Sequence, residues 1–339
     1  MNDLSALLQL FILDAKVPSL AAAAIRDGEL WAAGAVGIRK KGHNATVTLA
    51  DKYHIGSCTK SMTATLAAIL VEEGILSWDT CISEILTSFD LHPGYKRTTL
   101  RQLLGHVGGC PTNIHETLWK DLWRAKGTPQ EQRLELARGI LSKAPQYRPG
   151  WWFAYSNAGY AIAGSMLEQA ARVSYEKLLR ERLFVPLNMT SAGFRAPATA
   201  SKLDQPYGHN PEPVEPEPAG DNPQAIAPAG AVHCSIKDLA TYAQFHLTEQ
   251  PKLLSKHSFS ALHQSTHWFR NYTMGWIVTK RPWAEGLALT HTGSNTTFYT
   301  VMWLAPQKHF AAVAACNLGT EEGFQRCNSV VEMLIDRYS

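Results

Sequence analysis

Ser57-Cys58-Thr59-Lys60 sets a hydroxyl and an amine three residues apart. On a helix that is about one turn, so the two side chains stand side by side. A serine hydroxyl is a poor nucleophile near neutral pH and needs a base or a cationic neighbour. A lysine drawn partly out of water has its pKa pulled down and can fill that place. The spacing alone is a weak signal, since Ser-x-x-Lys arises by chance about once in a few hundred residues at average composition. Ser174-Tyr175-Glu176-Lys177 repeats it in this chain. Context separates the two. Ser57 follows Gly56 where a helical pattern begins and unpaired backbone N–H groups point outward. Ser174 heads a charged amphipathic stretch with Glu176, Lys177, Arg180 and Glu181, and reads as its N-cap.

Two further patterns carry chemistry. In Tyr155-Ser156-Asn157 a phenol beside a lysine would lose its proton more easily and could relay protons to the nucleophile. The Asn amide offers two donors and an acceptor to an ester or amide. The structural alternative is a buried aromatic and a turn, with Asn157 capping a helix that starts at Ala158. His291-Thr292-Gly293-Ser294 lies in a strand-like run, where a glycine marks either close approach of a ligand to the backbone or a bulge.

The elements that must hold these groups follow from hydrophobic periodicity. Residues 19–25 and 29–37 read as strands around the Asp27-Gly28 turn. Residues 57–73 read as a helix, with Met62, Leu66, Ile69 and Leu70 at helical spacing and Gly74 as a stop. Helical patterns then dominate to about residue 265, at 100–104, 131–141, 158–171 and 236–246. Strand patterns return at 273–280, 287–290, 298–305 and 310–316, and a closing helix at 322–338 buries Val330, Val331, Leu334 and Ile335. The expected fold class is therefore α/β (α+β). One antiparallel sheet is built from both chain ends and flanked by helices, with a large, mainly helical insertion. Residues 1–60 and 270–339 form the sheet subdomain and 61–269 the helical one, with a site in the cleft between them.

Composition narrows the function classes. Of 339 residues, 45% are hydrophobic and 18% charged, a globular balance, and the net charge is +3 without runs of one sign. Neither nucleic acid nor a membrane is implied as partner. Cysteines 58, 81, 110, 234, 316 and 327 have no metal spacing and read as free thiols; no metal or cofactor is expected. Residues 1–13 carry Asp3 and no basic run, which fits an amphipathic first helix better than a signal peptide. That reading makes the chain cytoplasmic; a periplasmic or secreted chain with its leader removed would look the same. The Pro-rich stretch 205–228 excludes regular helix or central strand and forms either a rim over the cleft or a solvated excursion.

Taken together and in this order, Ser57/Lys60, Tyr155/Asn157 and His291/Gly293 resemble the penicillin-recognising serine enzymes. Within that family they are similar to the class C β-lactamase-like branch, which includes carboxylesterases, D-amino-acid-releasing peptidases and acyltransferases. The stretches 99–106, 147–151, 184–189 and 228–231 followed by Asp238-Leu239 look like further family landmarks, so the likeness runs from about residue 5 to 335. It implies that Ser57 is acylated and that Lys60 and Tyr155 share base and proton-shuttle work. The backbone N–H groups of Ser57 and Ser294 would form the oxyanion hole, Asn157 would orient the acyl side chain, and His291, Thr292 and Gly293 would line the far wall.

The sequence departs from that branch in two places. The β-lactamases carry Lys where this chain has His291, and a His of ordinary pKa, about 6.5, would favour a carboxylate substrate only as the pH falls toward 6. The loop after His106 is Val107-Gly108-Gly109-Cys110 rather than Thr-Ser-Gly, which bears on acyl preference. The substrate expected is a small ester, amide or β-lactam. Acyl transfer to an alcohol or amine, and non-catalytic binding of an acyl ligand, use the same pocket, and oligomeric state is not legible.

Overall fold

A computed structural model describes the chain except residues 15, 218–219, 251–252 and 265–270. Its centre is a seven-stranded sheet in the order Asn2–Asp3, Glu29–Gly37, Ser19–Arg26, Phe310–Cys316, Tyr299–Ala305, Gly286–Ser294, Ile277–Arg281. All pairs are antiparallel except the first, a two-residue parallel edge. Asp27 and Gly28 both take left-handed backbone, φ 52° and 76°, which closes the first hairpin in two residues. The Ser19–Arg26 strand does not alternate, because both its faces are covered. Ala21, Ala23 and Ile25 face the core shared with the helical insertion. Leu20, Ala22 and Ala24 face Val330, Val331 and Leu334 of the Glu321–Tyr338 helix. This is the sheet from both chain ends, flanked by helices, that the sequence leads one to expect.

The Thr59–Glu72 helix runs through the core, and every residue from Thr59 to Leu70 is buried. A helix hydrophobic or small all round belongs inside, and only there can Lys60 be stripped of water. A smaller sheet, Lys52–His54 against Val232–Ser235 against Gly193–Phe194, leads the chain into that helix.

Some elements depart locally from expectation. The first helix spans only Ser5–Gln9; Leu4 and Leu8 are fully buried and Leu7, Phe11 and Ile12 half-buried, while Leu10 and Leu13 stand exposed. The strand expected from 273 begins at Ile277, because Gly275, φ 82°, turns the chain against the backbone of Lys60 and Ser61. The Pro-rich stretch holds a small hairpin, Gly208–His209 with Pro213–Val214, and then short helical turns at Gln224–Ile226 and Ala227–Gly230. Among the described residues, all six cysteines are free and no helix is long and apolar enough to cross a membrane.

Candidate active site

Gly56 adopts φ 49°, and a Cβ there would lie 2.6 Å from the Ser294 carbonyl carbon. A Cβ on Gly293 would lie 2.6 Å from the Ser57 nitrogen. The helix start and the end of the Gly286–Ser294 strand therefore meet backbone to backbone, which only glycine permits on each side. The contact brings the amides of Ser57 and Ser294 to one place. Ser57 sits in the tight turn Gly56–Cys58 that feeds the Thr59–Glu72 helix. Cys58 faces inward, its thiol against the His291 carbonyl at 3.6 Å, and burial pushes its pKa up, so it is a packed thiol.

Lys60 is fully buried. Its Nζ lies 2.8 Å from Asn157 Oδ1, 2.8 Å from the Ala229 carbonyl oxygen and 3.1 Å from Ser57 Oγ. Burial pulls its pKa down to about 7. The two carbonyl oxygens can only accept, so they take two N–H bonds. In a neutral amine the remaining tetrahedral direction is the lone pair, and that direction faces Ser57 Oγ.

Asn157 is free to reach Lys60 because it does not cap its helix. Ser156 is the N-cap, its hydroxyl accepting from the Gly159 N–H at 3.1 Å, and Asn157 is the first helical residue. Tyr155 precedes the cap. Its ring lies 4.7 Å from Lys60 Nζ and 4.3 Å from the His106 ring. Burial pushes the phenol up to about 12, and its hydrogen bond with Ser57 acts in the opposite direction. The easier proton loss expected of a phenol beside a lysine is thus reversed by desolvation.

His291 is buried, with Nδ1 2.6 Å from the Thr292 carbonyl and Nε2 3.3 Å from the Tyr272 hydroxyl. The carbonyl can only accept, so Nδ1 carries the hydrogen and Nε2 accepts from the phenol. Burial, then the nearby Lys60, pushes the His291 pKa down to about 3. A charge appearing near pH 6 is therefore ruled out by this environment. The cleft above Ser57 has a volume of about 690 Å³ and is walled by Phe153, Tyr155, Tyr272, Ile277 and Tyr299 together with His291, Thr292, Gly293 and Ser294. None of its described lining residues changes charge near neutral pH, because burial holds the Tyr155, Tyr272 and Tyr299 phenols protonated and His291 neutral.

Ser57, Lys60, Tyr155, Asn157, His291, Gly293 and Ser294 thus converge, while Ser174 stands at an N-cap position elsewhere without a side-chain cap bond. Other contributors had no role assigned from sequence, although Ala229 and His106 lie in stretches marked as landmarks. Tyr272 and the Ala229 carbonyl are placed only by tertiary structure, and His106, known as a landmark, proves to be a buried ring behind Tyr155 in left-handed backbone, φ 57°. No described residue of the Pro-rich stretch lines the cleft.

A family model described as Beta-lactamase matches residues 4–331. Protein flp of Staphylococcus aureus (strain COL) is 25% identical over 318 residues, covering 90% of this chain, which spans 60% of that protein's length. A D-stereospecific amidohydrolase from Streptomyces superposes with a TM-score of 0.73 at 21% identity, over 96% of this chain and 98% of that one. A class C beta-lactamase superposes with a TM-score of 0.80 at 19% identity, over 98% and 95%. These structural likenesses carry the fold.

Proposed function

The chain belongs to the Beta-lactamase family, and from that premise we propose that it is a serine hydrolase that cleaves a small ester or amide through an acyl-enzyme on Ser57. The observation that carries this reading is the Lys60 amine, buried, tied to two carbonyl oxygens and facing Ser57 Oγ at 3.1 Å. In the acylation step neutral Lys60 takes the Ser57 proton as Oγ bonds to the substrate carbonyl carbon, and the carbonyl electron pair moves onto oxygen. The Ser57 and Ser294 amides receive that oxyanion; losing one such donor typically costs about 3–4 kcal/mol. Tyr155, protonated at neutral pH, gives its proton to the leaving oxygen or nitrogen as the scissile bond breaks, and recovers one from the Lys60 ammonium. Water then attacks the acyl-enzyme along the same route in reverse. Asn157 sets the Lys60 amine and borders the bound acyl group.

Mixing the protein with p-nitrophenyl esters, D-amino-acid amides and a cephalosporin and measuring intact mass tests the reading. An acyl-sized increase in mass on Ser57, absent in Ser57→Ala, supports it. No adduct and no turnover with any member would leave a non-catalytic binder.

The neutral His291 points to uncharged substrates. Between pH 6 and 8 His291 stays unprotonated, so the ratio of kcat/KM for matched anionic and neutral esters should not change with pH through this residue. His291→Lys should raise that ratio by about tenfold if the ammonium reaches the substrate carboxylate in a partly exposed site. An unchanged ratio in His291→Lys would remove position 291 from substrate recognition.

A further inference from the structure

We infer that Asp221 is a positioning residue for the oxyanion hole, acting through His54 on the Gly56–Ser57 turn. The inference rests on the hydrolase reading above. His54 is fully buried and Asp221 nearly so. Asp221 Oδ1 lies 3.0 Å from His54 Nε2, and His54 Nδ1 accepts the Gly56 backbone N–H at 3.0 Å. The two contacts fix one tautomer. The Gly56 amide can only donate, so Nδ1 must present its lone pair, and Nε2 must carry the hydrogen that Asp221 accepts. The chain thus runs from carboxylate to imidazole to the amide next to the one that would hold the oxyanion.

The neighbours of Asp221 act on the same turn. The Gly220 carbonyl accepts from Asn295 Nδ2 at 3.0 Å, and Asn295 follows Ser294, the source of the second oxyanion amide. Asn295 Oδ1 in turn accepts from the amides of Thr297 and Phe298, at 3.2 and 3.0 Å, which fixes the turn after the strand. Asn222 Nδ2 donates to the Gly230 carbonyl at 2.6 Å. A Cβ on Gly230 would lie 3.4 Å from the Gly56 carbonyl carbon, and Gly230 follows Ala229, whose oxygen holds Lys60. Three consecutive residues of the Pro-rich stretch therefore brace both oxyanion amides and the lysine anchor from behind the cleft.

Gly56 sits in left-handed backbone. Its amide direction, and with it the aim of the Ser57 N–H, depends on whatever satisfies that N–H. Oxyanion stabilisation is steep in donor aim because preorganised dipoles need no rearrangement during reaction. Around metal sites, substituting the outer partner of a ligand typically costs about 10- to 100-fold, and a loss of the same order is expected for this carboxylate–imidazole–amide relay.

Labelling of Ser57 by a fluorophosphonate, followed by intact mass, separates positioning from folding. The final extent counts competent sites, and the rate per site reports how well the oxyanion is held. Asp221→Ala should label to the wild-type extent but about 10- to 100-fold more slowly, with kcat on a p-nitrophenyl ester lowered alike and KM within about threefold. Asp221→Asn keeps an oxygen that accepts from His54 Nε2 and should recover to within about fivefold of wild type. Should Asp221→Ala fail to fold, His54→Asn and His54→Leu carry the same test. The Asn oxygen can take the Gly56 N–H and the Leu side chain cannot, so His54→Asn should label about tenfold or more faster per site than His54→Leu. The inference is overturned if Asp221→Ala lowers only the extent, if Asp221→Asn is as slow as Asp221→Ala, or if the two His54 variants label at the same rate per site. Absence of labelling in the wild type would instead overturn the hydrolase reading, and this inference with it.

Discussion

Ser57→Ala is expected to lower kcat/KM for an activated ester by about 10⁴- to 10⁶-fold and to abolish the acyl adduct, because without Oγ the covalent route is closed. What remains is water attack assisted by the oxyanion amides and by binding alone. The variant should stay folded. The change removes one oxygen at a turn whose conformation is set by Gly56 and Gly293, and Lys60 keeps its bonds to Asn157 and Ala229. Thermal unfolding should therefore move by no more than an ordinary small substitution would move it. Ser174→Ala is the internal control. It has the same sequence spacing to a lysine, but Lys177 points to Glu181 at 3.8 Å on an exposed helix face, and no cap bond is lost. Its activity should match wild type. If Ser174→Ala loses the adduct and Ser57→Ala keeps it, the nucleophile has been assigned to the wrong motif.

The contrast between the two Ser-x-x-Lys pairs shows what a sequence can carry. The nearness of Ser57 and Lys60 was legible because helix geometry is local, and because Gly56 before them and the helical spacing of Met62, Leu66, Ile69 and Leu70 after them marked a helix start; that the helix lies inside the core was not. The hairpin at Asp27-Gly28 was legible for the same reason. Asn157 was half legible, since the sequence allowed it either to face a substrate or to cap a helix starting at Ala158, and Ser156 takes the cap instead. Only the Ser156 hydroxyl bonding to Gly159 frees Asn157 for Lys60. Ionisation was not legible. Desolvation keeps His291 neutral far below pH 6 and Tyr155 protonated, and burial belongs to the folded chain rather than to any short motif. The Asp221–His54 contact joins residues 167 apart in sequence, inside a stretch that proline content marks only as irregular. The parallel edge strand Asn2–Asp3 was missed because two residues carry no periodicity.

Lys60 decides which group is the base, and its pKa gives that assignment a pH signature. Held at about 7, the amine is half neutral at pH 7, whereas Tyr155, pushed up to about 12, is protonated throughout the neutral range. On the proposed mechanism the catalytic form is the deprotonated lysine. The sign follows directly: kcat/KM rises with pH while Lys60 loses its proton, about tenfold per unit below pH 6 and levelling above pH 8. If tyrosinate were the resting base, the rise would instead continue beyond pH 9. Lys60→Arg provides the matching substitution. A guanidinium keeps a positive charge beside Ser57 but does not deprotonate in this range, so the variant can orient the hydroxyl and cannot accept its proton. It should lose about 10²- to 10⁴-fold in acylation, the usual contribution of a general base, and it should lose the rise centred near pH 7. Acylation rates from the p-nitrophenol burst, between pH 5.5 and 9.5 in wild type and Lys60→Arg, settle the point. A wild-type profile flat through pH 7, or a Lys60→Arg profile that keeps the same midpoint, would show that the proton from Ser57 goes elsewhere. A Lys60→Arg variant that is slow at every pH, beside a wild type with a midpoint near 7, leaves the buried lysine as the acceptor.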